Sequence, residues 1–333
     1  HLAVQLPTLY HHGFRYKPTL DLKNKYLKEI GKLMIPRTLT LATHQLNLLV
    51  ITIIASTLAV GSLTVFNFAN NLQYFPVGII GISFALAAFP TLSEYVAKGD
   101  LSSMVRHLSD TIRQIIFFIV PLSIIFLVLR AQIVRVVLET GEFNRIATIT
   151  TANTLALFTL SLFAQCLIPL LTRAFYAMHN TWTPLVIAFI GVLINIIGSL
   201  VFKDMFGIAG LALAFSLAAL IQLIMLWFAL RKLVHTLHEE KIFKTIQKIA
   251  VAGMSMFVVM QYIKTPLASL VDMTQFWGIA VQGSVSCILG LLVYGGLSHL
   301  FKVEEMTHLL RTFHKKWLRL TRVESRVGEA DEI

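Results

Sequence analysis

The chain has 333 residues, of which 56% are hydrophobic and 14% charged, with a formal net charge of +11. Soluble domains carry about 25% charged residues, so this composition and a mean hydropathy of +0.75 exclude an ordinary water-solvated domain. The excess of positive charge does not point to a nucleic-acid partner either, because the basic residues lie between apolar runs and in the tail.

Taken in order, residues 1–9 read as the end of a membrane helix. The chain opens on His1 inside this stretch, with no signal peptide, and its beginning is expected to be missing. Residues 10–32 read as a basic loop, with Leu22, Tyr26, Ile30 and Leu33 forming an amphipathic lead-in. Apolar runs then follow at about 33–57, 62–93, 112–130, 147–172, 183–202, 207–230, 243–263 and 274–300. Runs of 18 or more residues cross a hydrocarbon core of about 30 Å. They should be helices, since no water is available there for unpaired backbone groups, and their continuous apolarity does not match the alternation of a barrel strand. The predicted class is an all-α polytopic membrane bundle.

The tail, residues 301–333, is basic. Met306, Leu309, Phe313, Trp317 and Leu320 recur at steps of three and four beside Arg311, Lys315, Lys316, Arg319 and Arg322. That pattern suits an amphipathic helix resting on anionic headgroups, or a solvated terminal helix. Of the 28 Lys and Arg, 22 fall in the alternate segments 10–32, 95–114, 173–182, 231–248 and 301–333, and five in the opposite set. Positive charge stays in the cytoplasm, so the C-terminus is expected there. Cys166 and Cys287 lie inside apolar runs and read as small buried hydrophobes.

Polar groups at membrane depth are costly and usually face a bundle interior or a cavity. In the first full helix Arg37, Thr40, His44 and Asn47 share one face. In the second, Asn67, Asn70, Asn71, Gln73 and Tyr74 cluster. Two successive polar stripes predict a common substrate cavity lined by Arg37, Thr40, His44, Asn47, Asn67, Asn70, Asn71 and Tyr74; packing between helices is the competing account. Gln165, Asn195 and Gln222 are single polar residues in later runs and read as inter-helix bonds. Pro76 and Gly78 predict a hinge in the second helix. No metal-spaced cluster, phosphate-binding glycine loop or nucleophile elbow is visible. His11-His12-Gly13 lacks an acidic partner nearby, so neither an enzyme nor a cofactor is expected.

Three stretches resemble the MurJ (MviN) lipid II flippase family, within the superfamily of multidrug and polysaccharide exporters. They are Gln45–Val50, Phe68–Gly78 continuing to Ser93, and Glu139–Phe143 joined to Arg173–Ala177 and Thr181–Pro184. The resemblance implies that residues 33–230 form a six-helix transporter lobe and that 231–300 add a cytoplasmic loop and two extra helices with a groove for a lipid tail. It implies an inner-membrane flippase for the undecaprenyl-pyrophosphate-linked peptidoglycan precursor, working by alternating access against an N-terminal lobe outside this sequence. Three positions depart from the family. Asn71 stands where many members carry an Arg, and Ile51 and Phe215 stand where some members place oxygen ligands for sodium. Sodium coupling through that site is therefore not expected, and Arg37 is a candidate to compensate for the missing charge at Asn71. A related exporter of drugs or of another lipid-linked oligosaccharide, and a non-transporting scaffold, remain open.

Overall fold

The structure, a computed structural model, describes residues 25–138, 145–272 and 275–307 and a few isolated positions outside them. Among the described residues every regular element is helical. The helices are α1 (Lys25–Ser56), α2 (Ser62–Pro76), a π-helical segment (Val77–Ile82), α3 (Ser83–Ala97), α4 (Leu101–Val128), α5 (Arg130–Leu138) and α6 (Arg145–Thr159). They are followed by α7 (Leu162–Ala177), α8 (Trp182–Phe206), α9 (Ile208–Val234), α10 (Glu239–Leu270) and α11 (Phe276–Leu300).

The eight apolar runs all fall on helices, and seven helices, or eight with one bent pair, are long and apolar enough to cross a membrane. Large apolar side chains line the outer surface: Ile197 is 62% and Leu292 66% exposed. In water that surface would oppose folding; against acyl chains it costs nothing. The chain is thus a multi-pass membrane protein.

Four boundaries differ from the sequence reading. The helix α1 is described from Lys25, inside the expected loop, and runs on through Pro36; its lysines are exposed. The helix α4 begins at Leu101 rather than 112. Gly99, at φ 75°, ends α3, and the Asp100 carboxylate accepts a hydrogen bond from the Ser103 amide at 3.0 Å, which caps the next helix at once. The expected loop 130–146 contains α5, packed on α6 and α11. The run at 147–172 is two helices, α6 and α7, meeting at 46°. Most of the basic tail, the segment 1–9 and the Glu139–Phe143 motif lie outside the described residues.

The broken pair is the centre of the bundle. The helix α6 packs on α2, α9 and α5, and α7 packs on α3, α4, α9 and the π-helical segment. Phe158, Leu162, Leu170, Leu171 and Phe175 are fully buried there. The α8–α9 hairpin closes one side, α1 leans on α8, and the α10–α11 hairpin packs on α4. Gly81 allows the π-helical segment to lie directly on α7, because a Cβ at that position would stand 2.6 Å from the Cys166 Cα.

The last two helices are fixed to α4 at both ends. At one end the Tyr294 hydroxyl donates to the Phe117 carbonyl at 2.7 Å. Buried Arg113 there meets Asp110 and Glu304 at 2.7 Å and Glu305 at 3.1 Å. At the other end Gln282 accepts from Gln132 at 3.0 Å and donates to the Lys264 carbonyl at 2.7 Å, while the Lys264 ammonium donates to the Val128 carbonyl at 3.2 Å.

Three outcomes follow from this packing. Replacing Gly81 with Ala should lower stability by about 1–3 kcal/mol through overpacking against α7 backbone, measured by thermal unfolding in micelles. Removing Arg113 as Ala should cost on the order of 3 kcal/mol, since it leaves the Glu305 carboxyl buried without its partner; faster amide exchange at Val303–Thr307 would report it. Burial, opposed by Arg113, holds the Glu305 carboxyl above its ordinary value of 4.5. The folded state therefore binds that proton more readily than the unfolded one. The Glu305 contribution is full below about pH 4.5 and lost as pH rises through the raised value, and Glu305→Gln should flatten the dependence.

Candidate functional site

The faces of α1 and α2 that carry polar residues meet around a cleft closed by α7, α8 and α9. Its two lobes, about 200 Å³ and 260 Å³, share His44, Asn47, Tyr74 and Phe215 as walls. Asn70, Asn71, Ile51 and Phe66 line the second lobe; Gln165, Asn195 and Gln222 line the first. Of the eight expected site residues, five come together here: His44, Asn47, Asn70, Asn71 and Tyr74. Arg37, Thr40 and Asn67 are not walls of the cleft. The Thr40 hydroxyl donates to its own helix, to the Pro36 carbonyl at 2.9 Å. Asn67 is exposed near the start of α2. Arg37 sits about 10 Å along α1 from His44, at 1.5 Å rise per residue, and stacks over the Tyr176 ring at 5.7 Å.

The walls are held by two chains of hydrogen bonds. In one, Asn195 of α8 donates to Asn47 of α1 at 2.9 Å, and Asn195 accepts from Ser199. In the other, Gln73 donates to Asn70 at 3.0 Å, and Gln165 donates to both Gln73 at 2.8 Å and Ser161 at 3.0 Å. Ser161 also bonds Ser216, whose hydroxyl donates to the Leu157 carbonyl at 2.7 Å. Gln165 and Asn195 thus make the inter-helix bonds their isolation in apolar runs had indicated, and they are also cleft walls. Phe215 and Gln222 escaped notice as walls. An aromatic residue and a lone amide in an apolar run carry no signal until α9 is laid against α1 and α2.

The π-helical segment starts directly after Pro76 and includes Gly78. Proline removes an amide donor, and the wider turn that follows lets the Ser83 hydroxyl reach the Gly78 carbonyl at 3.2 Å. No atom outside its own neighbourhood crowds Gly78 within 4 Å. A π-bulge of this kind often marks a functional site.

Among the described walls the polar groups are amides, one imidazole and one phenol, with no carboxylate. Such a lining both donates and accepts hydrogen bonds. It suits neutral hydroxyl- and amide-bearing groups more than a bare cation.

The sequence profile of the family described as "Lipid II flippase MurJ" matches residues 1–307. The chain belongs to the MurJ family. Relatives described as probable MurJ lipid II flippases include one from Treponema pallidum, 28% identical over 68% of this chain and 44% of that protein. Those from Vibrio cholerae and Thermotoga maritima are 26% and 27% identical over 89% and 93% of this chain, covering 55% and 60% of theirs. The chain spans about half the length of these curated relatives. Among solved structures, the inward closed conformation of the lipid II flippase MurJ superposes with a TM-score of 0.67 at 24% identity, over 90% of this chain and 59% of that one. An outward-facing multidrug MATE transporter gives 0.55 at 15% identity, over 84% and 67%. These likenesses establish the transporter fold. Asn71, Ile51 and Phe215 all line the same lobe of the cleft.

Replacing Asn195 with Leu should leave Asn47 without its partner and lower stability by about 0.5–2 kcal/mol. Leu at Gln165 should cost at least as much, because that amide bonds two partners. Thermal unfolding of each variant in micelles measures both.

Proposed function

We propose that the protein acts as a lipid II flippase, moving an undecaprenyl-pyrophosphate-linked peptidoglycan precursor across the bacterial inner membrane without covalent chemistry. One observation carries the reading: inside a MurJ-family bundle, α1 and α2 turn His44, Asn47, Asn70, Asn71 and Tyr74 onto one cleft. The amides and hydroxyl would meet the sugar–peptide headgroup, and the outer apolar surface would leave the lipid tail in the bilayer. A facing lobe, outside this sequence, would supply the opposite wall and further cations, as alternating access requires two bodies moving against each other. The bends at Pro76–Ile82 and at the α6–α7 junction are the places where the wall would flex. The basic segments, including the tail, would lie on the cytoplasmic side against anionic headgroups.

A second reading, export of a drug or another lipid-linked oligosaccharide, is favoured by the uncharged lining around Asn71 and by the fold shared with a multidrug transporter. The two part on one experiment. The complete gene, expressed in cells depleted of their own lipid II flippase, should restore wall synthesis and growth. Asn71→Asp, which places a negative charge where a diphosphate-linked headgroup would pass, should reduce that rescue at least tenfold at equal protein level. Full expression without rescue would leave the exporter reading in its place.

A further inference from the structure

We infer that Arg37, Arg173 and Tyr176 form a binding site for a phosphate group, ester or diphosphate, where Arg37 of α1 meets the last turns of α7. The Arg37 guanidinium lies over the Tyr176 ring, 5.7 Å from its centroid. Arg173 precedes Tyr176 by three residues on α7, so both project from the same helix face, and Arg173 and Arg37 are within electrostatic range of each other. The packing of α1 is mainly on α8, with α2 and α9, and this stack links it to α7.

Among the described residues neither arginine has a carboxylate within ion-pair distance, while Arg113 has three and Arg231 has Glu239 at 3.1 Å. Arg173 is half-buried. Arg37 is exposed, and the two like charges repel each other. A dianion between them would turn that repulsion into attraction. Guanidinium presents a planar fork of donors that matches phosphate oxygens two at a time. The Tyr176 ring fixes the orientation of Arg37 through its π-face. Exposed Lys25, Lys28 and Lys32 lie on the preceding turns of α1 and would draw anions toward the site. One ligand could fill both places, with a phosphate at the arginine pair and its polar headgroup in the cleft about 10 Å along α1. In that form the inference rests on the flippase reading, and it deepens that reading by naming the residues that would hold the phosphate.

The test is inorganic pyrophosphate titrated into the purified protein in phosphatidylcholine nanodiscs, read by calorimetry. Binding should weaken at least tenfold in Arg173→Gln and in Arg37→Gln, less in Arg173→Lys, and not at all in Arg231→Gln; matching thermal unfolding shows that the variants are folded. Repeating the titration in discs containing phosphatidylglycerol identifies the source. Competition there assigns the site to a lipid headgroup, and undiminished binding assigns it to a soluble phosphate or diphosphate. Pyrophosphate affinity that is undetectable in the wild type, or unchanged by both Gln substitutions, overturns the proposal, including the case in which a carboxylate from elsewhere in the protein already fills the site. That failure would leave the complementation result untouched, so the two readings fall separately.

Discussion

Polar groups inside a bilayer must find their partners within the protein, and this bundle depends on how that demand is met at its broken α6–α7 span and at the π-helical segment between α2 and α3. A straight helix satisfies its own backbone. Where the α6–α7 span bends, carbonyls are released, and side chains take over: Ser161 donates to the Phe158 carbonyl and Ser216 reaches the Leu157 carbonyl from α9. Gln165 then ties Ser161 to Gln73 on α2, and Gln73 holds Asn70 at the cleft. The same bonds that make the bend tolerable in lipid also position a wall of the cleft. Bend and cleft are therefore one construction, and the π-helical segment packed on α7 through Gly81 belongs to it.

The terminal hairpin obeys the same constraint with charges. Arg113 is buried against three carboxylates where α4 leaves its polar end, and the Gln132–Gln282–Lys264 set secures the other end. With anchors at both ends and an aromatic contact between Phe117 and Tyr294, α10 and α11 ride with α4.

Charge is distributed unevenly around the cleft. Its described walls hold no lysine, arginine or carboxylate, in the lobe of Asn71, Ile51 and Phe215 as in the other. Cations stand outside it instead, with Arg37 of α1 over the Tyr176 ring and Arg173 one turn before it on α7. A division of labour follows from dielectric reasoning: neutral amides inside, where an unpaired charge is most costly, and guanidinium groups toward water, where an arriving anion can still exchange its hydration shell.

Hydropathy alone located the seven candidate spans and the bent α6–α7 pair among the described residues, because lipid imposes a length and an apolarity that each run must meet by itself. The stripes on α1 and α2 were likewise legible, since helical spacing converts sequence distance into a shared face. Helix ends were less so: α1 and α4 continue into polar sequence that can be helical in water, and the bend in α6–α7 has no proline at its corner. Only the tertiary structure decided that Asn47 would bond Asn195, that Phe215 and Gln222 would become walls, and that Arg37 would turn away from the cleft to meet Tyr176 and Arg173. Those outcomes depend on which helices become neighbours, and neighbours are chosen by close packing, at a glycine such as Gly81 or between facing amides, over separations that no local pattern spans.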